Sequence, residues 1–138
     1  MLTVHPYGHS IMVRRLPIGL VAAFLVGFLL VGLPQWSAPG GRVGLDDPAM
    51  IAGLAGLAVI AMMLIVGQMA SPARSWAVMT LCLPVAVATR IAAVADPVMP
   101  GVSVIGIGVA LAVGGMAVAP GILVGQLVRR VQGRASAG

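Results

Sequence analysis

Four long apolar runs constrain the fold of this 138-residue chain more than any other feature. Each is long enough to cross a bilayer as a helix, because about 20 residues at a rise of about 1.5 Å each span a hydrocarbon core near 30 Å. None alternates between polar and apolar residues as barrel strands do. The sequence predicts an all-α membrane protein, a four-transmembrane-helix bundle, with spans at 16–33, 48–68, 76–95 and 102–128.

The composition indicates that lipid is the solvent. Hydrophobic residues make up 60% of the chain and charged residues 8%, whereas a soluble domain carries about 25% charged residues. So few charges cannot cover the surface of a water-soluble protein of this size. We therefore expect a single transmembrane domain over residues 1–138, with flexible tails at 1–10 and 132–138.

The distribution of arginine predicts the orientation. All 8 basic residues are arginine, and the net charge is +5. Because cytoplasmic segments carry an excess of Lys and Arg, we expect N-in and C-in topology, with only Arg42 in an outer loop. A multi-pass protein of the bacterial cytoplasmic membrane is the expected class. The arginines of the inner segments are Arg14, Arg15, Arg74, Arg129, Arg130 and Arg134.

The first apolar run also resembles a signal peptide, since two arginines precede it. The run is longer than the usual apolar region of a signal peptide, which has about 7 to 15 residues. Cleavage after Ala38 would also place the bulky Trp36 where a small residue is required. We therefore expect a retained span, with Met12 as an alternative to Met1 as the first residue.

Capping residues and prolines predict where the helices begin, end and bend. Asp47 precedes a proline, which places a capping carboxylate next to the first turn of span two. We expect Ser75 to cap span three and Pro34 to end span one. Pro84 and Pro120 lie inside spans three and four, where each removes a backbone hydrogen bond, so both predict kinks. A hinge of the kind that moves in transporters is the alternative at Pro120.

Small residues recur at helical spacing in spans one and four. Such stripes let helix backbones approach closely in lipid, where van der Waals packing drives association. Packing within one bundle is the simpler interpretation, and an oligomer interface is the alternative. The helix-packing residues predicted in this way are Gly19, Ala23, Gly27, Gly106, Ala110, Gly114, Gly121 and Gly125.

Arg90 is the charged residue that falls inside a predicted span. Its Cα is expected about 9 Å from the outer end of span three, a depth from which an arginine side chain reaches the interface. Snorkelling, or a structural ion pair with Asp46, Asp47 or Asp96, is one interpretation. The alternative is an anion or ion path, because intramembrane charges are functional candidates by default.

The sequence carries no motif for catalysis or cofactor binding. It has no Glu, no His within a span and a single cysteine, Cys82. Asp46 and Asp47 are adjacent, but a helix cap explains them more simply than acid–base chemistry does. The chain has no catalytic Ser-His-Asp or Cys-His arrangement and no cysteine-based metal motif. Nucleic-acid binding would require a basic stripe with stacking aromatics. We expect a protein that is not an enzyme and that takes no cofactor, metal or nucleic acid.

Two functions fit such a chain. The first is a non-enzymatic accessory or structural subunit that packs in the lipid bilayer with itself, as a homo-oligomer, or with larger membrane partners. The second is a small permease or channel-forming oligomer, in which Arg90 would select an anion or small solute. The surroundings of Arg90 discriminate between them, because transport predicts that it lines a polar cavity.

Overall fold

The structure, a computed structural model, describes residues 9–37, 46–94 and 100–135. These residues form no strand and five α-helices, and the third and fourth helices are two parts of one span. They contain four spans that are long and apolar enough to cross a membrane. The prediction of an all-helical chain with four such spans is confirmed. The helices are α1 (His9–Ser37), α2 (Pro48–Val66), α3 (Pro72–Thr80), α4 (Cys82–Val94) and α5 (Pro100–Ala135).

The four spans pack in a diamond with α1 and α5 at opposite corners. Among the described residues, α1 and α5 have no Cα atoms within 8 Å of each other, and neither do α2 and α4. We call the end at which α1 begins and α5 ends the proximal end, and the opposite end the distal end. The backbone of α2 therefore approaches the third span at α3, in the proximal half, and lies farther from α4, in the distal half.

Apolar side chains fill the centre of the bundle and also cover its outside. Leu57 and Ile65 of α2, Met79 of α3, Leu83 of α4 and Val118 of α5 are fully or almost fully buried. The outward faces are equally apolar, as expected of helices that lie in lipid rather than in water. Exposed apolar side chains include Leu25, Leu29, Val104, Ile105, Leu123 and Leu127.

Side-chain caps define the beginnings of α2 and α3. The Asp47 carboxylate accepts a hydrogen bond of 2.8 Å from the first turn of α2. The Ser71 hydroxyl accepts one of 3.4 Å from the first turn of α3. The prediction of Ser75 as the cap of this helix is wrong, because Pro72, suited to a first helical turn, begins the helix earlier. Ser75 is instead a buried residue of α3.

The prediction that span one ends at Pro34 is also wrong, since α1 continues to Ser37. Pro34 has no N–H, so the carbonyl of Leu30 loses its helical partner. Gly53 of α2 packs against that carbonyl, and a Cβ added to Gly53 would lie 2.7 Å from the oxygen. The glycine thus presents a Cα–H to the freed oxygen, as in the weak contacts found between helices. This cover allows α1 to continue through the proline.

The third span is interrupted at Leu81, between α3 and α4. Pro84 leaves the Thr80 carbonyl without its helical partner. Gly114 of α5 packs against this carbonyl, and a Cβ added there would lie 2.9 Å from the oxygen. A glycine on a neighbouring helix therefore covers the freed carbonyl in this span as well. By contrast, α5 is continuous across Pro120.

Both terminal helices extend into the tails predicted to be flexible. Residues 9–10 belong to α1, and residues 132–135 belong to α5. With 36 residues, α5 is about 54 Å long, well beyond a hydrocarbon core near 30 Å. The remaining tail residues lie outside the described residues, as do Arg42 and Asp96.

Gly121 gives the most direct test of the packing. An added Cβ would lie 2.7 Å from the carbonyl carbon and 2.8 Å from the Cα of Ala58 in α2. We expect Gly121→Ala to lower the free energy of unfolding by about 1 to 3 kcal/mol, because a backbone cannot move aside as a side chain can. Thermal denaturation in detergent measures the change.

Gly108→Ala is the matched control on the same helix. A Cβ at Gly108 would meet nothing within 4 Å, and alanine has the higher helix propensity by about 1 kcal/mol. The control should be as stable as the wild type or more stable. Equal stability of both variants would contradict the close contact of α5 with α2.

Candidate functional site

The polar contacts of the distal half centre on Arg90, a half-buried residue of α4. Its Nη1 donates a hydrogen bond to the backbone carbonyl of Gln35 in α1. Gln35 lies in the last turn of that helix, where carbonyls lack helical partners and form the negative end of the helix dipole. Arg90 therefore caps α1 from a neighbouring span, with a charge of the favourable sign.

Gln35 extends this group of contacts to α2. Its side-chain Nε2 lies 3.9 Å from Sδ of Met50, and a thioether sulfur is a weak acceptor. Met50 is buried in the first turn of α2. Arg90, Gln35 and Met50 thus join three spans at the distal end. The sequence analysis did not identify Gln35 or Met50 as site residues. For Gln35 a signal existed, because a glutamine lies directly after a long apolar run.

The Arg90 guanidinium has no carboxylate partner among the described residues. The ion pair with Asp46 or Asp47, which was one interpretation of the sequence, is therefore not formed. Asp47 instead caps α2, and the third carboxylate considered, Asp96, lies outside the described residues. A guanidinium has five N–H donors, and one of them serves the described contact.

A cavity of about 190 Å³ lies next to this group, between the distal halves of the four spans. It lies where the backbones of α2 and α4 have no Cα atoms within 8 Å of each other in the described structure. Of the residues that line it, Gln35 alone has a polar side chain. The lining residues are Gln35 of α1, Met50 of α2, Leu83 and Val87 of α4, and Gly106, Val109, Ala110 and Val113 of α5. We call this space the distal cavity.

Arg90 does not line the cavity, but it donates to the backbone of Gln35, which does; we infer that it lies at the distal edge. Leu83, Val87 and Arg90 are spaced by four and three residues, so they share one face of α4. The first two line the cavity, and Arg90 continues the same face toward the distal end. The wall of the cavity is therefore apolar, which differs from the polar cavity that the transport interpretation predicted around Arg90.

A larger groove of about 640 Å³ runs over the outside of the bundle, between α3 and α5. Trp76, Gly108 and Gly115 are among its lining residues, together with Thr80. The Thr80 hydroxyl is buried and has no hydrogen-bond partner among the described residues. Since the groove lies on an outward, apolar face, it presents a surface that lipid chains can occupy.

The small residues predicted to pack helices fall into different environments. Gly27 has the Leu57, Met79 and Cys82 side chains within 3.1 Å of an added Cβ. In contrast, Gly19 would meet only Met69 Sδ at 3.5 Å, and Gly106 nothing within 4 Å. Gly106 lines the distal cavity. Gly114, Gly121 and Gly125 lie against backbone atoms of other spans, and Ala23 and Ala110 belong to the core or pack on it.

Cys82 contributes to packing at the centre of the bundle. Its Sγ lies 3.6 Å from the Phe24 carbonyl oxygen and 3.7 Å from that of Val78. Within the described ranges, no three His, Cys, Asp or Glu side chains lie close enough to hold a metal ion. The chemistry that the described residues bring together is therefore that of Arg90 and the distal cavity.

No family model matches the chain, and no curated protein or solved structure is significantly similar to it. The features that bear on its function are therefore the bundle and the distal site.

The hydrogen bond of Arg90 can be tested by substitution. Arg90→Leu leaves the Gln35 carbonyl without its donor, and we expect the free energy of unfolding to fall by about 1 to 3 kcal/mol. Arg90→Lys should lose less, since lysine keeps one donor group and the charge but not the planar fork. Thermal denaturation in detergent compares the variants.

Arg74→Leu serves as the control, because Arg74 is exposed and its side chain has no hydrogen bond within the described structure. We expect it to be nearly silent. If Arg90→Leu were as silent as this control, the guanidinium would be reaching the interface without a structural hydrogen bond.

Proposed function

We propose that the protein is a non-enzymatic membrane subunit that spans the bilayer four times and packs with itself or with larger membrane partners. The observation that carries this proposal is the surface of the bundle. Side chains such as Val104 at 70% exposed and Leu123 at 67% lie on helices long enough to span a membrane. Contiguous apolar surface of this kind has to be covered by lipid or by another protein.

The distribution of charge supports an N-in, C-in orientation, and we propose the bacterial cytoplasmic membrane as the location. Arg74 lies where α3 begins, and Arg129, Arg130 and Arg134 lie where α5 ends, so all four are at the proximal end. The paired carboxylates before α2 are at the distal end. Because cytoplasmic segments are rich in arginine, we place the proximal end in the cytoplasm.

The proximal part of α5 offers a surface for partners. Gly125 packs against Ile65, next to the end of α2 at Val66, but α5 continues to Ala135. This projecting part carries exposed arginines and the exposed apolar side chain of Val131. Such a basic, partly apolar helix end suits a membrane-bound partner or the anionic headgroups of the inner leaflet.

Photo-crosslinking in native membranes tests whether the outward faces meet another protein. A photoreactive residue at Met116 or Leu123, both exposed, should give protein adducts of higher mass. The same residue at Val118, which is 0% exposed, is the control and should react within the chain. Adducts with lipid alone from both outward positions would contradict the role as a packing subunit.

A reporter fused after Gly138 tests the orientation. We expect a reporter that works only in the cytoplasm to be active, because the arginine-rich proximal end contains the end of α5. Activity of a reporter that requires the extracytoplasmic space would reverse the assignment. A fusion after Ser37, where α1 ends at the distal end, is the matched control and should give the opposite result.

A small permease or channel-forming oligomer is the second candidate. One observation favours it, the distal cavity with Arg90 at its edge. This function differs from the first because it requires a solute to cross the membrane. Flux through proteoliposomes therefore distinguishes the two, since a packing subunit produces none.

A further inference from the structure

We propose that the distal cavity is a binding site for a small organic anion that has an apolar body and one carboxylate. The apolar body would occupy the cavity, and the carboxylate would lie at Arg90. This inference is independent of the proposed function, because either a subunit or a permease can hold such a ligand. It stands on the size of the cavity, the chemistry of its wall and the charge at its edge.

The size of the cavity limits the apolar body. Its volume is about 190 Å³, and an apolar cavity of about 150 Å³ is large enough to hold benzene. A phenyl ring or a chain of about six carbons therefore fits. Leu83, Val87 and Val113 supply apolar contacts from two spans, and Met50 supplies a flexible thioether. Gly106 leaves open the space that a side chain would fill.

Arg90 provides complementary charge for the carboxylate. A guanidinium presents two parallel N–H groups that match the two oxygens of a carboxylate. Its described contact uses Nη1 on the Gln35 carbonyl, and neither Asp46 nor Asp47 neutralises it in the described structure. The Gln35 amide, which lines the cavity, has a weak sulfur acceptor at 3.9 Å and can offer its N–H groups to a better one.

The ligand needs both its apolar body and its carboxylate to bind tightly. An inorganic anion would gain the charge of Arg90 but none of the apolar contacts. A neutral aromatic alcohol would fill the cavity but leave the guanidinium without a counter-charge. Benzoate, benzyl alcohol and inorganic phosphate are therefore the three probes that separate the contributions.

The test is isothermal titration calorimetry, in which each probe is added to the full-length protein in nanodiscs of zwitterionic phosphatidylcholine. We expect benzoate to bind at least about tenfold more tightly than benzyl alcohol, because hydrogen bonds between charged groups are stronger than those of a neutral hydroxyl, and tenfold corresponds to about 1.4 kcal/mol. Phosphate should not bind measurably. Equal affinity for benzoate and benzyl alcohol, no binding of benzoate, or binding of phosphate as tight as that of benzoate would overturn the proposal.

A matched pair of glycine variants locates the site. A Cβ at Gly106 or at Gly108 would meet nothing within 4 Å, but Gly106 lines the distal cavity and Gly108 lines the outer groove. Gly106→Leu should reduce benzoate affinity at least about tenfold, because a leucine of this size occupies the space for the ring. Gly108→Leu should leave it unchanged. Equal benzoate affinity in the two variants would overturn the assignment to this cavity.

Arg90→Gln tests the charge separately from the space. We expect benzoate affinity to fall to that of benzyl alcohol, while the affinity for benzyl alcohol stays the same. Unchanged benzoate affinity would overturn the role of Arg90. Should this variant prove too unstable to purify, the glycine pair and the three probes still decide the proposal.

Discussion

Close contact between helix backbones at glycines is the interaction on which the rest of the bundle depends. In lipid, apolar side chains gain little from leaving their surroundings, so spans associate through packing and weak polar contacts. Gly53 and Gly114 face carbonyls that Pro34 and Pro84 deprive of helical partners. At each of these places the glycine, which has no side chain, lets the neighbouring backbone come close and points a Cα–H toward the freed oxygen. Two prolines inside spans are therefore tolerated because a glycine stands opposite each freed carbonyl.

The same proline that interrupts the third span accounts for the distal site. Beyond the break at Leu81, the Cα atoms of α4 lie within 8 Å of those of α1 and α5 but not of α2, and the distal cavity lies among the four spans there. Arg90, near the end of α4, then reaches α1 and donates to the Gln35 carbonyl. The contact holds the diverging half of the span to the bundle by its distal end, so Pro84, the cavity and Arg90 form one structural unit.

The length and polarity of the runs were sufficient to predict four spans, because a bilayer sets both. The sequence did not predict the helix ends and side-chain environments that depend on a neighbouring helix. Pro34 did not end α1, because Gly53 from another span covers the carbonyl that it frees. Likewise, the helical spacing of small residues placed Gly106 and Gly121 in one stripe of α5 but did not predict what each of them faces. Gly106 lines the distal cavity, whereas Gly121 lies against the Ala58 backbone.

The energetics of Arg90 connect the structural contact with the proposed site. An arginine costs about 2.5 to 3.5 kcal/mol at the centre of a membrane helix and less toward the interface. A hydrogen bond from a charged group contributes about 1.5 to 3 kcal/mol, and the contact with Gln35 is half-buried. The cost of placing the arginine in the membrane and the contribution of its hydrogen bond are of similar size. The hydrogen bond therefore roughly offsets that cost but gives no large net stabilisation. A carboxylate at the edge of the distal cavity would shift this balance clearly in favour of the charged side chain, because it would engage the donors of Arg90 that the carbonyl does not use.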